Sequence, residues 1–412
     1  MTGTAHTAET ALHHAWGLLL GQSDTIADSI TLTLFERDGD LWDRIGPEFR
    51  VDVRASTREH IRRGLRILAA HPDQGARPDH STTTGDNAVE LWRETGRRRA
   101  RQGVPLELVL NAYNLGARIL WEALVTKVSA DPSAGVDDQV LLTAAREVWS
   151  TLDVQNTVLI DAYRRESARI QRQDLQREQA VLDSLIEGRG ADPMFADEAR
   201  TALQVGPDDD IACVVVVHDG TDTGDSLGPV EDRLDRLGIT ARWHVRSGVY
   251  YGLLSGALPS ETGLVQIFEA HAPGRMGIAA SLEGVAGFAT AFQLAHRAAE
   301  TVPRGEHRVV AVTDRLPEVL LAGSPQVAPR LLAETLGPIL ALPRAQAQML
   351  LDTLAALLQH DGSPTHAAAD LYCHRNTVIY RMKQIEQLTG RSLADPRDKM
   401  LLGLALMARA RP

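Results

Sequence analysis

Two cysteines stand among 412 residues. They cannot build a disulfide framework or a four-cysteine zinc site, so a reducing cytoplasm is the expected setting. Aromatic residues are scarce at 4%. With Ala and Leu plentiful, that scarcity favours helix over an all-β sandwich. No apolar run approaches the length that a bilayer demands. The opening stretch MTGTAHTAETALHHAW places His and Glu where a signal peptide has a basic segment. Secretion, membrane insertion and disulfide scaffolding are therefore not expected. What remains is 44% hydrophobic and 24% charged, the balance of a soluble globular chain long enough for roughly two to four domains.

The formal net charge is −11, which argues against a chain coated in nucleic acid. The average hides an asymmetry. From Arg344 to Pro412 there are nine Lys and Arg against six Asp and Glu, so that stretch is +3 and the rest carries −14. An acidic body with a mildly basic tail suits a regulator with a DNA-binding appendage, although surface scatter alone could give the same count.

The first 165 residues read as helix after helix. The pattern predicts helices over Ala11–Leu20, from Ser23 or Asp24 to Asp38-Gly39-Asp40, over Arg54–Ala70, over Val89–Arg101 and from Pro105 onward. Residues 71–85 read as a loop, Gly103 as a break, and Asp131-Pro132-Ser133-Ala134-Gly135 as a turn before a long helix from Asp137. Trp16, Trp42, Trp92, Trp121 and Trp149 fall in this region and are read as core filling, with the lining of a ligand site as the alternative. From Asp161 to Gly188 the chain is rich in Arg, Gln and Glu. Ile170, Leu175, Leu182 and Leu185 form an imperfect stripe there, that of a connecting helix which transmits or dimerises, or is simply solvated.

After Gly188 the pattern changes to strands at Ile211–Gly220, Ala241–Arg246, Val249–Leu254, Met276–Ala280 and Arg308–Val312. Helical patterns at Pro229–Leu237, Thr262–Ala270 and Val285–Glu300 lie between them, and Ser247-Gly248 is the tip of a hairpin. Helices over Pro325–Leu342 and Ala345–His360 follow. The expected fold is multidomain α and α+β, with an all-helical N-terminal domain, an α+β middle domain and a helical C-terminal domain.

The segment beyond Gly362 is the most specific. Ser363 is a natural N-cap and Pro364 fits the first helical position. A short helix with Ala367, Ala368 and Leu371 is followed by the tight link Tyr372-Cys373-His374. A second helix starts at Arg375, with Val378, Met382, Ile385 and Leu388 on its buried face. Asn376, Tyr380, Lys383 and Gln387 fall opposite, flanked by Arg375, Thr377 and Arg381. This is a helix-turn-helix pattern, with the alternative of an ordinary helical hairpin. Arg can fork onto guanine and Asn onto adenine, while Thr and Tyr can hold phosphates.

His374-Arg375-Asn376-Thr377-Val378, Tyr380-Arg381, Ile385-Glu386, Leu388-Thr389-Gly390 and Asp395-Pro396-Arg397-Asp398 resemble the C-terminal helix-turn-helix of PucR/CdaR-type transcriptional regulators over about 65 residues. One departure is Ile379, where family members usually have Arg, and no role is carried onto it. The middle domain resembles the GGDEF-like domain of the same family. Arg97–Arg101, Gly103-Val104-Pro105, Asn111-Ala112-Tyr113 and Trp121-Glu122 are similar to the RsbR-type (RsbT co-antagonist) N-terminal domain.

The resemblance implies a sensor domain at 1–165, a connecting helix at 166–190, a GGDEF-like domain at 191–320 and a helix-turn-helix domain at 325–412. It implies a sequence-specific transcriptional regulator that binds promoter DNA as a homodimer or larger species and answers to a signal or ligand received by the N-terminal or middle domain, a small-molecule effector among the candidates. The expected DNA-binding residues are Ser363, Thr365, His374, Arg375, Asn376, Thr377, Tyr380, Arg381 and Lys383. No cofactor, metal or membrane is expected. The alternatives are a protein-interaction scaffold and an enzyme or sensor of cyclic nucleotides. Against the enzyme, the hairpin Arg246-Ser247-Gly248-Val249 lacks the carboxylates that would hold a divalent metal. Asp208-Asp209-Asp210 reads as a solvated turn, His13-His14 as lacking partner ligands, Cys213 as core, and Cys373 as a small residue tolerated in a turn.

Overall fold

The computed structural model describes residues 2–37, 47–70, 84–131, 136–218 and 227–410. Two compact units divide them, one up to Asp174 and one from Leu175.

The N-terminal unit is helical throughout its described residues. Its elements are α1 (Thr2–Gly17), α2 (Ser23–Arg37), α3 (Pro47–Ala69), α4 (Thr84–Arg101), α5 (Leu106–Ala130) and the first part of α6 (Asp138–Ile186). Three helices begin ahead of the sequence expectation, and the first, α1, runs from Thr2 to Gly17 rather than over Ala11–Leu20. α3 begins at Pro47, which suits a first turn, rather than at Arg54, and α4 already includes Thr84 and Gly85. Asp38-Gly39-Asp40, Trp42, residues 71–83 and the turn at 132–135 lie outside the described residues. Gly103, at φ +68, ends α4 as expected.

Trp16, Leu19, Ile30, Leu65 and Leu124 pack the centre of this unit, each at most 2% exposed. The tryptophans divide. Trp16 is core and donates to Glu147 at 3.3 Å, Trp121 is half-buried against that core, but Trp92 lines a cavity and Trp149 is exposed. Core filling is therefore correct for Trp16 and Trp121 alone among the four described. His13 Nδ1 donates to the Leu68 carbonyl at 2.9 Å, a structural role.

α6 is one unbroken helix of 49 residues. Its middle, 171–177, is exposed on every side, as befits a stretch of Gln, Arg and Asp. Of the four residues in the expected stripe, Leu182 and Leu185 are buried, whereas Leu175 is half exposed.

The second unit holds the last part of α6, then α7 (Pro193–Leu203) and a five-stranded sheet of order β2-β3-β1-β4-β5. The strands are β1 (Asp210–Val217), β2 (Thr240–Arg246), β3 (Val249–Gly256), β4 (Arg275–Ser281) and β5 (Arg308–Ala311). β1 is central and antiparallel to both neighbours, with Cys213 opposite Leu253 and Val214 opposite Ile278. β5 pairs with β4 in parallel. The continuous run IACVVV is buried because both faces of β1 are covered. One face meets Leu182 and Leu185 of α6, Phe195 of α7 and Phe288 at the start of α10 (Phe288–Glu300). The other meets Val230 and Leu234 of α8 (Gly228–Arg236) and Leu264 and Phe268 of α9 (Glu261–Phe268). Gly277 of β4 admits the α10 backbone: a Cβ there would lie 1.9 Å from the Ala295 carbonyl oxygen. Burial pushes the Cys213 thiol pKa up, which leaves it inert.

Beyond the sheet come α11 (Leu316–Ala322), α12 (Val327–Leu340), α13 (Arg344–Gln359), α14 (Pro364–Asp370), α15 (Arg375–Thr389) and α16 (Pro396–Ala410). Val319 of α11 belongs to the core beside the sheet. Leu336, Leu350, Leu354, Leu357, Val378, Ile385 and Leu402, with Ala367 and Ala368 of α14, form the common core of α12 to α16.

Candidate nucleic-acid interface

α14 and α15 are joined by four residues that reverse the chain tightly. Tyr372 adopts φ +49, an unfavourable value for an aromatic residue, and the Cys373 N–H returns to the Ala368 carbonyl at 3.1 Å. Ala367 and Ala368 are buried, and their small side chains let α15 approach. Val378 and Ile385 are fully buried, with Met382 and Leu388 packed against them. Each of the first two side chains contributes roughly 1.5–3 kcal/mol by its removal from water. The seat of α15 is therefore fixed by its apolar face.

The opposite face is open. Arg375, Asn376, Tyr380, Lys383 and Gln387 are exposed. Arg375 and Lys383 make no ion pair among the described residues, while neighbouring charges are spent internally. Lys399 pairs with Asp361, Arg391 with Asp398 at 3.1 Å, and His360 Nε2 lies 2.6 Å from Asp370 Oδ2. Thr365 is exposed on the first turn of α14.

Four of the expected contact residues hold other positions. Ser363 stands at the N-cap of α14 but its hydroxyl makes no capping hydrogen bond, and it is half-buried. Thr377 is half-buried on the flank of α15. Arg381 is also half-buried and turns back to α13, where its Nη1 donates to Thr353 Oγ1 at 3.4 Å. Thr353 in turn donates to the Met349 carbonyl at 2.7 Å. The expectation that Arg381 approaches bases is thus at odds with its geometry, because position 381 falls at the edge of the buried stripe. His374 is the N-cap of α15, and its Nδ1 accepts the Asn376 N–H at 3.2 Å. A histidine is not among the usual capping residues, so composition alone did not reveal this role.

One exposed residue escaped the sequence reading. Tyr372 is 97% exposed in the turn directly before α15, more than Tyr380 at 70%. Its aromatic side chain in a polar turn was the only signal available.

The rest of the recognisable motif serves the scaffold. Glu386 accepts from the Leu393 N–H at 2.9 Å and faces the Ser392 hydroxyl at 3.3 Å. Gly390 ends α15 at φ +65. Asp395 accepts the Asp398 N–H at 2.9 Å, which caps α16 with Pro396 at its first position. The Ser392 N–H, ahead of the Arg391 guanidinium, holds the Asp398 carboxyl below the usual carboxylate range.

At the middle-domain hairpin, Ser247 and Gly248 both have positive φ, at +51 and +80, the geometry of a tight hairpin turn. Arg246 beside it donates to the Asp183 carbonyl at 3.0 Å and to Glu187 at 2.7 Å. Asp209 accepts the Gly206 N–H at 2.7 Å and so closes a turn. Among the described residues no cluster of His, Cys, Asp and Glu could hold a metal ion, and no helix is long and apolar enough to cross a membrane.

Three family models match in succession. Residues 24–178 match the RsbT co-antagonist protein rsbRD N-terminal domain, residues 187–301 the GGDEF-like domain and residues 350–408 the PucR C-terminal helix-turn-helix domain. The chain is 46% identical over 67 residues to the purine catabolism regulatory protein of Bacillus subtilis (strain 168), which is 16% of this chain and 13% of that protein. It is 30% identical over 179 residues to an uncharacterized protein of Mycobacterium tuberculosis (strain ATCC 25618 / H37Rv), covering 43% and 42% of the two chains. It is 41% identical over 58 residues to the carbohydrate diacid regulator of Escherichia coli (strain K12), covering 14% and 15%. The matched stretches thus span less than half the length of each of these relatives. With an RsbRD-type N-terminal domain, a GGDEF-like domain and a PucR helix-turn-helix in that order, the chain is of the PucR/CdaR regulator type.

Proposed function

We propose that the chain is a sequence-specific transcriptional regulator which lays α15 in the major groove of promoter DNA, in the cytoplasm, under the control of a small-molecule effector. The observation that carries this reading is the exposed face of α15, where Arg375 and Asn376 stand beside Tyr380 and Lys383 on a helix fixed by its opposite side. Arg375 and Asn376 suit base edges, and Lys383, Tyr380, Thr365 and Tyr372 suit phosphates. His374 acts by shaping the helix start, and Arg381 and Thr377 by holding its flank. A gel shift with the DNA upstream of the chain's own gene tests the reading. A shifted band that survives excess unrelated DNA is expected, and equal competition by unrelated DNA would contradict it.

The assembly we propose is a dimer or larger species, since one helix-turn-helix reads only a short site and pairing adds half-sites. The α6 stretch from Tyr163 to Ile186 and the GGDEF-like domain are the pairing candidates. Light scattering at micromolar concentration should give at least twice the chain mass, and a monomer with and without DNA would refute pairing. We propose further that the GGDEF-like domain is not a cyclase, because its hairpin offers Arg, Ser, Gly and Val where metal catalysis needs carboxylates. Incubation with GTP and magnesium or manganese should yield no cyclic dinucleotide; product above a helix-turn-helix control would overturn this.

A further inference from the structure

A cavity of about 510 Å³ lies within the N-terminal unit, in the size range of small-molecule sites. Its wall is mainly apolar and draws on five helices, with Leu34 of α2, Val53 of α3, Trp92 of α4, Val109 of α5 and Leu152 of α6. One part of the wall is polar. His60 Nδ1 lies 2.6 Å from the Ser56 carbonyl, which can only accept, so Nδ1 carries the hydrogen and Nε2 is the acceptor. Nε2 faces the Tyr113 hydroxyl at 3.1 Å and Thr95 Oγ1 at 3.2 Å. Thr95 donates to the Leu91 carbonyl at 2.9 Å, which leaves the Tyr113 hydrogen for His60. Burial lowers the His60 pKa and raises that of Tyr113 to about 12, so both are neutral near pH 7. Each keeps some uncovered surface, and the cavity lies against it.

The lining also holds two cations, Arg63 of α3 and, beside the polar part of the wall, Arg99. Its Nη1 donates to Asp52 Oδ2 and to Gln102 Oε1, both at 2.7 Å, and its Nη2 donates to Ser56 Oγ at 2.8 Å. A guanidinium has five N–H groups. The Nε–H and one Nη2–H therefore have no acceptor among the described residues, and the Phe49 ring lies against the guanidinium, 5.1 Å from its carbon to the ring centroid. Glu147, the carboxylate among the lining residues, takes the Trp16 N–H and stands eight residues before Gln155, about 12 Å along α6. Gln155 flanks Tyr113.

We infer that this cavity is the effector site and that it takes a small organic monocarboxylate, with its apolar body among Leu34, Val53, Trp92 and Val109 and its carboxylate on the free N–H groups of Arg99. Asp52 is shared between Arg99 and Arg98, at 2.7 and 3.1 Å, so a net positive charge remains and the head group meets it together with the hydrogen bonds. Glu147 repels the carboxylate from the other part of the wall and sets the ligand's direction. α6 lines the cavity at Val148, Thr151, Leu152 and Gln155, and the same helix contributes Val181, Leu182 and Leu185 to the core beside the sheet. The effector role rests on the proposed reading of the chain as a ligand-controlled regulator; the binding site does not.

Calorimetric titration of the full chain with 2-naphthoate, octanoate and 4-phenylbutyrate tests the inference, with 2-naphthalenemethanol as the uncharged counterpart. At least one acid should bind with Kd below about 1 mM, and the alcohol about tenfold more weakly than 2-naphthoate. Gly64 lines the cavity, and no atom lies within 4 Å of a Cβ built there. Gly64→Leu should therefore fold at least as well as the parent, by its better helix propensity, and lose the acids. Arg99→Lys keeps a cation for Asp52 but loses the fork, so acids should weaken about tenfold and the alcohol should not change. The site is overturned if no acid binds, if Gly64→Leu binds them undiminished, or if alcohol and acid bind alike. Gel shifts with and without a bound acid separate the two readings. An acid that binds without changing DNA affinity overturns the effector role alone, whereas failure to bind DNA at all strikes the regulator reading and leaves calorimetry to judge the cavity.

Discussion

The Arg381 guanidinium donates to Thr353 Oγ1 across the interface of α15 and α13, at 3.4 Å. The cations of α15 are thereby divided between an anchor, Arg381, and two exposed groups, Arg375 and Lys383. Arg381→Ala should destabilise the chain by about 1 kcal/mol, since it removes a hydrogen bond from a charged donor together with half-buried packing. Arg375→Ala should stay within about 0.5 kcal/mol of the parent. Urea unfolding of the two variants checks the division; equal stability would contradict it.

His374 caps α15 through Nδ1. His374→Ala should cost about 1 kcal/mol, while His374→Asp, a stronger cap, should match or exceed the parent. DNA binding should fall in both, more steeply in the aspartate variant, whose carboxylate would face phosphates. Thermal melts beside gel shifts give the two readouts. An aspartate variant less stable than the alanine one would contradict the capping role.

Glu166 is buried in the N-terminal unit, where Arg169 at 2.9 Å and Arg101 at 2.7 Å bring its pKa down to about 2. A free glutamate titrates near 4.3. The ion pairs therefore contribute stability that is fully present above the free value and is lost as pH falls through the folded one. Glu166→Gln should be less stable than the parent at pH 7, and the gap should narrow from about pH 5 to about pH 2. Denaturant unfolding at a series of pH values measures it. A gap that stays constant or widens on acidification would contradict the assignment.

How far the sequence disclosed this structure depended on the kind of signal. The strands around Cys213 and the Ser247-Gly248 turn were legible because a β-branched run and a two-residue turn are local features. Val378 and Ile385 were legible on the buried face because their spacing fits the helical period. Arg381 misled because it sits at the border of that stripe, where helical period alone does not settle direction. His374 escaped because its capping depends on a tautomer and a rotamer, not on residue type. The length of α6 was obscured by its polar middle, which no core interrupts. The cavity was legible only through the alternative that tryptophans such as Trp92 line a ligand site: Leu34, Val53 and Val109 have core spacing, and pattern does not reveal a space left unfilled.

The central claim is that the exposed face of α15 reads DNA. Its most direct test is the affinity of the chain for a bound upstream fragment, followed by fluorescence anisotropy over a salt series. Arg375→Ala and Asn376→Ala should each lose about 1–3 kcal/mol and relax preference at one base position, with unfolding curves unchanged. Lys383→Ala should weaken binding to all sequences alike and reduce the salt slope by about one unit. If Arg375→Ala and Asn376→Ala both remain folded and bind with the parent's affinity and selectivity, α15 is not the reading helix.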